Sequence, residues 1–180
     1  MPRYIMVIDT RSCIGCHSCT VCCRTHNELE PYMIFNPVTT VGPIGTYPDL
    51  NMSHIALLCM HCENPSCVSG CPTGASQQRD DGIVFVDENK CVSCKVCVMA
   101  CPYGARVCNH ERGIVQKCDF CSDRVEDGKV PRCVQSCHQK ARFFGDMNDP
   151  KSEVSKLIGV EHTVQLQSEL GNDPRVYYIF

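Results

Sequence analysis

The residues best placed to do chemistry in this sequence are its cysteines. The chain has 18 of them among 180 residues, and all but two fall into four quartets with repeating spacing. The quartets are Cys13-x2-Cys16-x2-Cys19-x3-Cys23, Cys59-x2-Cys62-x4-Cys67-x3-Cys71, Cys91-x2-Cys94-x2-Cys97-x3-Cys101 and Cys118-x2-Cys121-x11-Cys133-x3-Cys137. Cysteine at this density signals a covalent or metal framework.

The spacing inside the quartets favours [4Fe–4S] clusters. Three cysteines separated by two residues each can bind three irons of one cluster, and in bacterial ferredoxins the fourth cysteine binds the cluster of another motif. The first and third quartets have this spacing, and the other two have it with one longer gap. The sequence therefore predicts four [4Fe–4S] clusters. Cys22 and Cys108 are left over; Cys22 is an alternative to Cys23, although Cys23 keeps the x3 spacing of the other quartets.

Zinc, disulfides and a redox-active dithiol are the alternatives. Structural zinc sites usually separate two Cys-x2-Cys pairs by a longer loop, so a zinc-stabilised binding module is the weaker interpretation. A disulfide scaffold needs an oxidising compartment and a signal sequence, and residues 1–9 show no signal-peptide pattern. A dithiol needs only one or two such pairs. We therefore expect the chain to be cytoplasmic by its own sequence, or exported already folded with a signal-bearing partner.

Charge and composition exclude other functions. The formal net charge of −3 argues against a nucleic-acid surface, and no apolar run approaches the ~18 residues of a membrane span. No Ser–His–Asp set, phosphate loop or carboxylate pair stands out, so we assign no catalytic residues. His17 and His61, inside the first two quartets, are assigned to the surface, with a hydrogen bond to a cluster sulfur as the alternative. Several cations near the quartets could offset cluster charge, although an ordinary solvated side chain is the favoured interpretation for any one of them. They are Lys90, Lys95, Arg106, Lys117 and Arg132.

An internal repeat organises the chain. Cys71-Pro-Thr-Gly-Ala75 recurs as Cys101-Pro-Tyr-Gly-Ala105 and, in degenerate form, as Cys137-His-Gln-Lys-Ala141. β-Branched and aromatic residues predict strands at Tyr4–Asp9, Gly82–Asp87, Ala141–Gly145 and Arg175–Phe180. The proline-rich stretch Arg24–Leu58 is predicted to be an extended excursion. A helix is predicted from an N-cap at Asp149 to an end at Gly159.

Several of these motifs resemble the small iron–sulfur subunits of molybdenum- or tungsten-bis-pterin oxidoreductases, the dimethyl-sulfoxide-reductase type. The matching residues are Cys59-Met-His-Cys-Glu-Asn-Pro-Ser-Cys67, Cys71-Pro-Thr-Gly-Ala75, Lys117-Cys-Asp-Phe-Cys121 and Asp123-Arg124. Within that family the chain looks like the polysulfide- or thiosulfate-reductase type. Gly45-Thr-Tyr-Pro48, residues 78–84 and residues 169–178 are also similar to the small subunits of transhydroxylases and aromatic dehydroxylases.

The resemblance implies an α+β fold with two tandem, nested ferredoxin-like subdomains built from short strands, short helices and long loops. It also implies ligand sets that cross between quartets, in agreement with the ferredoxin rule. Cluster A would take Cys13, Cys16, Cys19 and Cys137; cluster B Cys23, Cys118, Cys121 and Cys133; cluster C Cys59, Cys62, Cys67 and Cys101; cluster D Cys71, Cys91, Cys94 and Cys97.

A division of the chain and a set of partners follow from the same resemblance. Residues 1–49 and 108–150 would form the outer half, with a partner-binding excursion at 24–58, and residues 50–107 the inner half. Residues 151–180 would form a C-terminal helix and an extended tail docking on a partner. The expected function is to relay single electrons to or from a large molybdenum or tungsten bis-pterin catalytic subunit, with a membrane quinone-reactive subunit as an optional third component. A free-standing polyferredoxin-like carrier is the alternative.

Overall fold

A four-stranded sheet forms the framework of the protein. The structure, a computed structural model, describes all 180 residues. The sheet contains β1 (Tyr4–Asp9), β8 (Arg142–Asp146), β9 (Thr163–Val164) and β10 (Val176–Ile179), in the order β8-β1-β10-β9. β1 runs antiparallel to β8 and parallel to β10. Three of the four predicted strands are confirmed here.

Three separate hairpins complete the β structure. They are β2 (Val38–Thr46) with β3 (Asp49–Ala56), β4 (Ser76–Gln78) with β5 (Val84–Val86), and β6 (Val107–Asn109) with β7 (Ile114–Gln116). β5 confirms the fourth predicted strand. The two short hairpins follow Cys71 and Cys101, so the first two copies of the sequence repeat each end in one hairpin, whereas the degenerate copy leads into β8.

The helices are short, and four of them begin one residue before the third cysteine of a quartet. Cys19 lies in α1 (Ser18–His26), Cys67 in α2 (Ser66–Ser69), Cys97 in α3 (Val96–Met99) and Cys133 in α5 (Arg132–Gln135). The others are α4 (Ser122–Glu126), α6 (Glu153–Val160) and a 3-10 turn at Ser168–Leu170. α1 packs against α5, and α2 packs against α3. The fold is therefore a mixture of short helices and strands, as expected for iron–sulfur domains.

Two predictions about secondary structure need correction. The stretch Arg24–Leu58 contains a long hairpin, β2–β3, in which Pro43 sits at a register shift between Val41 and Ile44. Such irregular positions tolerate proline in a strand. The C-terminal helix begins at Glu153 rather than just after Asp149, because the Asp149 carboxylate accepts a hydrogen bond from the Lys151 N–H in a separate turn.

The expected docking tail is also corrected in part. β10 lies in the middle of the four-stranded sheet, and Val176, Tyr178 and Ile179 are buried there. Tyr178 donates a hydrogen bond to the carbonyl of Ala56, at a distance of 3.0 Å. These residues therefore pack inside the chain and are not available to a partner.

The core lies on the two faces of the sheet, because side chains alternate along β1. Met6 and Ile8 face one cluster, which also contains Leu58, Phe120 and Tyr178. Ile5 and Val7 face the other, in which Val154 of α6 takes part. No helix has the length and apolar character needed to cross a membrane.

Candidate iron–sulfur sites

The structure gathers the predicted ligands into four groups, which we call cages. Cage A contains Cys13, Cys16, Cys19 and Cys137; cage B contains Cys23, Cys118, Cys121 and Cys133; cage C contains Cys59, Cys62, Cys67 and Cys101; cage D contains Cys71, Cys91, Cys94 and Cys97. Cages A, C and D each surround one cavity that no other cysteine lines. The three cavities are similar in size, so each can be expected to hold the same group.

The thiols of cage B pack together in the core, where Cys118 lies against the apolar clusters that contain Cys23 and Cys133. Burial raises the pKa of Cys23, and the neighbouring Cys133 and Cys121 raise it further. Burial likewise raises the pKa of Cys118 well above its usual range, followed by the effects of Cys23 and Cys133. Thiols packed this closely cannot all ionise unless a cation offsets their charge. A metal centre supplies that charge.

Tight turns position the cysteines. The residue before the second cysteine has a left-handed backbone in every quartet, with φ of 66° at Gly15, 43° at His61, 54° at Ser93 and 60° at Phe120. This conformation costs a residue with a side chain about 1 kcal/mol or more, and such strain concentrates at functional sites. Left-handed turns also form concave arrays of N–H groups that bind anions. The loops are therefore shaped around an anionic group.

Backbone N–H groups also reach the cysteine sulfurs. Cys71 accepts from the N–H of Ser76 at 3.4 Å, and Cys91 accepts from Val115 at the same distance. Cys137 accepts from Ala141 at 3.2 Å. Hydrogen bonds to ligand sulfur stabilise the thiolate form and raise the reduction potential of a cluster.

The geometry counts against zinc and against disulfides. No group of three or more Cys, His, Asp or Glu converges as one metal ion requires, so each cage surrounds a space instead of a point. All 18 cysteines are free thiols. The arrangement suits a multi-iron group held by one thiolate per iron.

The cages follow one another in the order A, B, C, D. Helix α5, which carries Cys133 of cage B, packs against helix α1, which carries Cys19 of cage A. Burial, the other thiols of cage B and then Cys59 of cage C raise the pKa of Cys118. Burial also raises the pKa of Cys97 of cage D, and Cys67 of cage C adds to that effect. The thiol groups thus form a single row through the molecule.

His61 is not a surface residue as predicted, because its side chain is fully buried. Its Nδ1 accepts a hydrogen bond from the Val84 N–H at 3.0 Å, and its ring stacks on Phe120 with 3.6 Å between centroids. Burial lowers the pKa of His61 well below its usual value, so the ring is neutral at pH 7. Its Nε2 has no protein partner. His17 is exposed as predicted.

The cations that the sequence singled out divide into two groups. Arg106 and Lys117 are buried, whereas Lys90, Lys95 and Arg132 are exposed. Sequence reasoning missed a third buried cation, Arg142, which lies beside Cys133 and Cys19. The repeat could have identified it, because Arg106 and Arg142 both follow the last cysteine of a quartet by five residues.

The two leftover cysteines lie outside the cages. Cys22 approaches Ser136 with 2.9 Å between Sγ and Oγ, and it stands beside Cys19 and Cys133. Cys23, its neighbour, takes the place in cage B. Cys108 lies in β6, where it pairs with Val115 of β7.

The sequence of this chain matches a known family of iron–sulfur proteins. A model of the 4Fe-4S dicluster domain matches residues 50–147. A protein of Halobacterium salinarum, whose name includes the words dimethyl sulfoxide reductase iron-sulfur subunit, is 43% identical over 99% of this chain and 79% of its own. This protein belongs to the 4Fe-4S dicluster family.

Two further relatives of this chain are also subunits of reductases. A subunit of the tetrathionate reductase of Salmonella typhimurium is 42% identical, over 98% of this chain and 72% of its own. A chain of the polysulfide reductase of Wolinella succinogenes is 38% identical, over 98% of this chain and 94% of its own. The resemblance to iron–sulfur subunits of molybdopterin oxidoreductases is thereby confirmed. This chain is an electron-transfer subunit with four [4Fe–4S] clusters, and it is not itself the catalytic component.

The cysteine thiols and buried nitrogens of this chain fit four [4Fe–4S] clusters. Sixteen cysteine thiols stand in four cages, enough for one thiolate per iron. Three buried N–H-bearing nitrogens near cages C and D, Arg106 Nε, Arg106 Nη1 and His61 Nε2, have no protein partner. Buried polar nitrogens are normally hydrogen-bonded. An anionic cluster beside them would supply the missing acceptor for the arginine.

Proposed function

We propose that this chain conducts single electrons along the row A–B–C–D while docked on a large molybdenum or tungsten bis-pterin catalytic subunit. The observation that carries the proposal is that successive cages are adjacent. Helix α1 packs on α5 between cages A and B, and Lys117 donates to the carbonyls of Cys118 in cage B and Val84 beside cage C. The side chain of Arg106 lines the cavities of both cage C and cage D. A [4Fe–4S] cluster supplies one-electron chemistry, with potentials from about −700 to +450 mV. The protein holds the ligands rigid, keeps water from the inner thiols and sets the order of transfer.

The cysteines of each cage are proposed as the ligands of one cluster, and the nested architecture is part of the same proposal. Helix α1 of the first quartet packs on α5 of the fourth, and α2 of the second packs on α3 of the third. This pairing supports an outer ferredoxin-like half around cages A and B, at residues 1–49 and 108–150. It also supports an inner half around cages C and D, at residues 50–107. Each half would exchange its fourth ligands between two quartets.

The β2–β3 hairpin is our candidate for the grip on the catalytic subunit. Its outer part exposes apolar side chains, with Ile44 63%, Tyr47 86% and Met52 54% accessible. Exposed apolar surface of this kind marks protein interfaces. At the base of the hairpin, Val38 and Ala56 line the cavity of cage A. A partner held by the hairpin would therefore lie next to cage A, the first member of the row.

The opposite end of the row is open as well. Cys94 of cage D is exposed, and so are Val92 and Met99 beside it. We propose that a second electron donor or acceptor, such as a membrane quinone-reactive subunit, meets the chain here.

The complex would assemble in the cytoplasm and be exported folded if its partner carries a signal. Cell fractionation with an antibody to this chain tests the compartment, and recovery of the chain only as a small free protein would contradict the proposed assembly.

The hairpin offers the sharpest test of the proposed docking. In a variant with Ile44→Ser, Tyr47→Ser and Leu50→Ser, we expect co-purification with the catalytic subunit to fall at least tenfold, because the apolar contact is lost. Size-exclusion chromatography of the native complex measures this loss. Iron content should stay at about 16 atoms per chain, four per cluster, because no cage residue is changed.

The matched control changes apolar residues that are equally exposed elsewhere. Val160 and Leu170 are 85% and 55% accessible and lie outside the hairpin. The double variant Val160→Ser, Leu170→Ser should co-purify as the unaltered chain does. If the hairpin variant remains bound while the control dissociates, the docking surface has been assigned to the wrong part of the molecule.

A further inference from the structure

Each gap between neighbouring cages contains one buried cation. Arg142, Lys117 and Arg106 are only 4%, 6% and 5% accessible. None of the three forms a salt bridge with a carboxylate. Burying an unpaired charge is costly unless an opposite charge lies nearby. The protein must therefore provide an anion at each of these places.

Arg142 occupies the gap between cages A and B. Its Nη2 donates to Asn36 Oδ1 at 2.7 Å, and its side chain lines the cavity of cage A. Burial acts to lower the pKa of Arg142, but Cys133 of cage B and Cys19 of cage A raise it overall. The guanidinium is thus next to thiols of both cages.

Arg106 occupies the gap between cages C and D. It lines both cavities, and its Nη2 donates to Ser76 Oγ at 2.6 Å. Burial again acts to lower its pKa, while Cys67 of cage C and Cys97 of cage D raise it overall. The remaining guanidinium nitrogens, Nε and Nη1, are buried without a protein acceptor.

Lys117 occupies the gap between cages B and C. Its Nζ donates to the carbonyl of Val84, which lines the cavity of cage C, and to the carbonyl of Cys118 in cage B. Two carbonyl dipoles solvate the ammonium only in part, and no carboxylate completes the pairing. The ammonium therefore stands between a backbone carbonyl of cage B and a carbonyl beside the cavity of cage C.

The repeat itself places the two arginines. Each follows the last cysteine of its quartet by five residues, in the pairs Cys101–Arg106 and Cys137–Arg142. The first copy of the repeat has Ser76 at this position, and Ser76 accepts the hydrogen bond of Arg106. The repeat thus places the cations of two of the three gaps.

A fourth buried cation provides the contrast. Arg175 is 5% accessible, but it donates to the carboxylate of Glu63, with 2.7 Å from its Nε to Oε2. It lines none of the three cage cavities. The buried arginine whose side chain lines no cage cavity is thus paired with a carboxylate, whereas the three cations in the gaps have none.

We propose that Arg142, Lys117 and Arg106 are positioning residues that set the reduction potentials of the clusters on either side of them. The inference rests on the proposed ligand cages. Adding an electron increases the negative charge beside each cation, so the cation favours the reduced state and raises the potential. Because each cation faces two cages, its loss should lower two potentials together.

The test is a redox titration of the purified native complex, followed by electron paramagnetic resonance. In Arg106→Gln, and separately in Arg142→Gln, we expect two of the four clusters to need a lower potential for reduction. At a fixed ambient potential, the ratio of reduced to oxidised cluster should fall about tenfold, a shift of about 59 mV for one electron. Arg106→Lys keeps the charge and should stay close to the unaltered protein.

Arg132→Gln is the matched control, because Arg132 adjoins Cys133 in sequence yet is exposed and hydrogen-bonded to Gln135. It should shift no potential. Iron and sulfide are counted first in every variant. Full iron with unchanged potentials in both glutamine variants would overturn this inference and leave the cages intact. Loss of iron in Arg106→Gln and Arg106→Lys alike would assign the residue to packing instead. An unaltered chain without iron would instead refute the proposed function.

Discussion

The surroundings of cages A and B differ from those of cages C and D in what holds them together. Beside cage A, Ile8 of β1 and Ala141 line the cavity, and the four-stranded sheet continues into two apolar clusters. Around cages C and D, the strands of β4–β7 have three residues each, and α2 and α3 have four. The region around cages A and B, the outer region, therefore contains the core of the four-stranded sheet. The region around cages C and D, the inner region with β4–β7, has only two-stranded sheets and reaches that core through Leu58, Met60 and Ile83.

This difference teaches where the metal matters most for folding. A region with a small apolar core needs staples such as metal sites, and metal binding then contributes directly to its folding. The inner region should depend on its clusters for structure. The outer region should keep its sheet when the clusters are gone, because Ile5, Met6, Val7 and Ile8 are all at most 1% accessible.

The largest effect should come from removing iron. After anaerobic chelation, we expect the amide hydrogens of β4–β7 to exchange completely, because little apolar packing remains to protect them. The amides of β1 and β10 should keep measurable protection, since they lie in the centre of the sheet. Hydrogen exchange followed by mass spectrometry of peptides separates the two regions. Simultaneous loss of protection in both would show that the regions do not differ in this way.

A single ligand change should have the next largest effect. Cys97→Ala removes one thiolate from cage D, so we expect iron to fall from about 16 to about 12 atoms per chain. Cages A and B, in the other region, should keep their iron. Iron and acid-labile sulfide analysis measures the loss.

Cys108→Ala is the control for that change, because Cys108 lies outside every cage yet pairs in β6 with Val115, which lines the cavity of cage D. Its iron content should equal that of the unaltered protein. A full complement of iron in Cys97→Ala would contradict the ligand set of cage D. The same result would remove the reason to treat the inner region as metal-dependent.

The sequence predicted the chemistry and part of the fold for a clear physical reason. The geometry of the cluster sets the cysteine spacing, so the quartets can be recognised from the sequence alone. The strand Tyr4–Asp9 was equally legible, because its apolar residues lie between polar ends. The β2–β3 hairpin was not predicted to form strands. Its side chains from Thr39 to Met52 are exposed or nearly so, and therefore lack the alternation that marks a half-buried strand.

Contacts between residues far apart in the sequence explain why His61 was assigned to the surface and why Arg142 was missed. His61 is buried under Phe120, whose ring stacks on the imidazole although the two residues are far apart in the sequence. No local sequence pattern shows such a contact. Arg142 lies at a strand start and is separated from Cys19 by more than a hundred residues. Only the position of Arg142 within the repeat links it to Arg106, and the degenerate copy Cys137–Ala141 obscures that link.

The smallest effect compares one substitution in the two regions. Val7 and Val115 are 0% and 1% accessible, and each lies in a strand. In iron-free protein, Val7→Ala should lower the free energy of unfolding by about 2 kcal/mol, through loss of two buried methyl groups and the cavity left behind. Val115→Ala should leave this free energy unchanged, because the inner region is then already unfolded. Urea titrations followed by circular dichroism give both values. Equal decreases in the free energy of unfolding would mean that packing in the inner region survives without iron. The outer sheet would then contribute no more than the inner region to the stability of the iron-free protein.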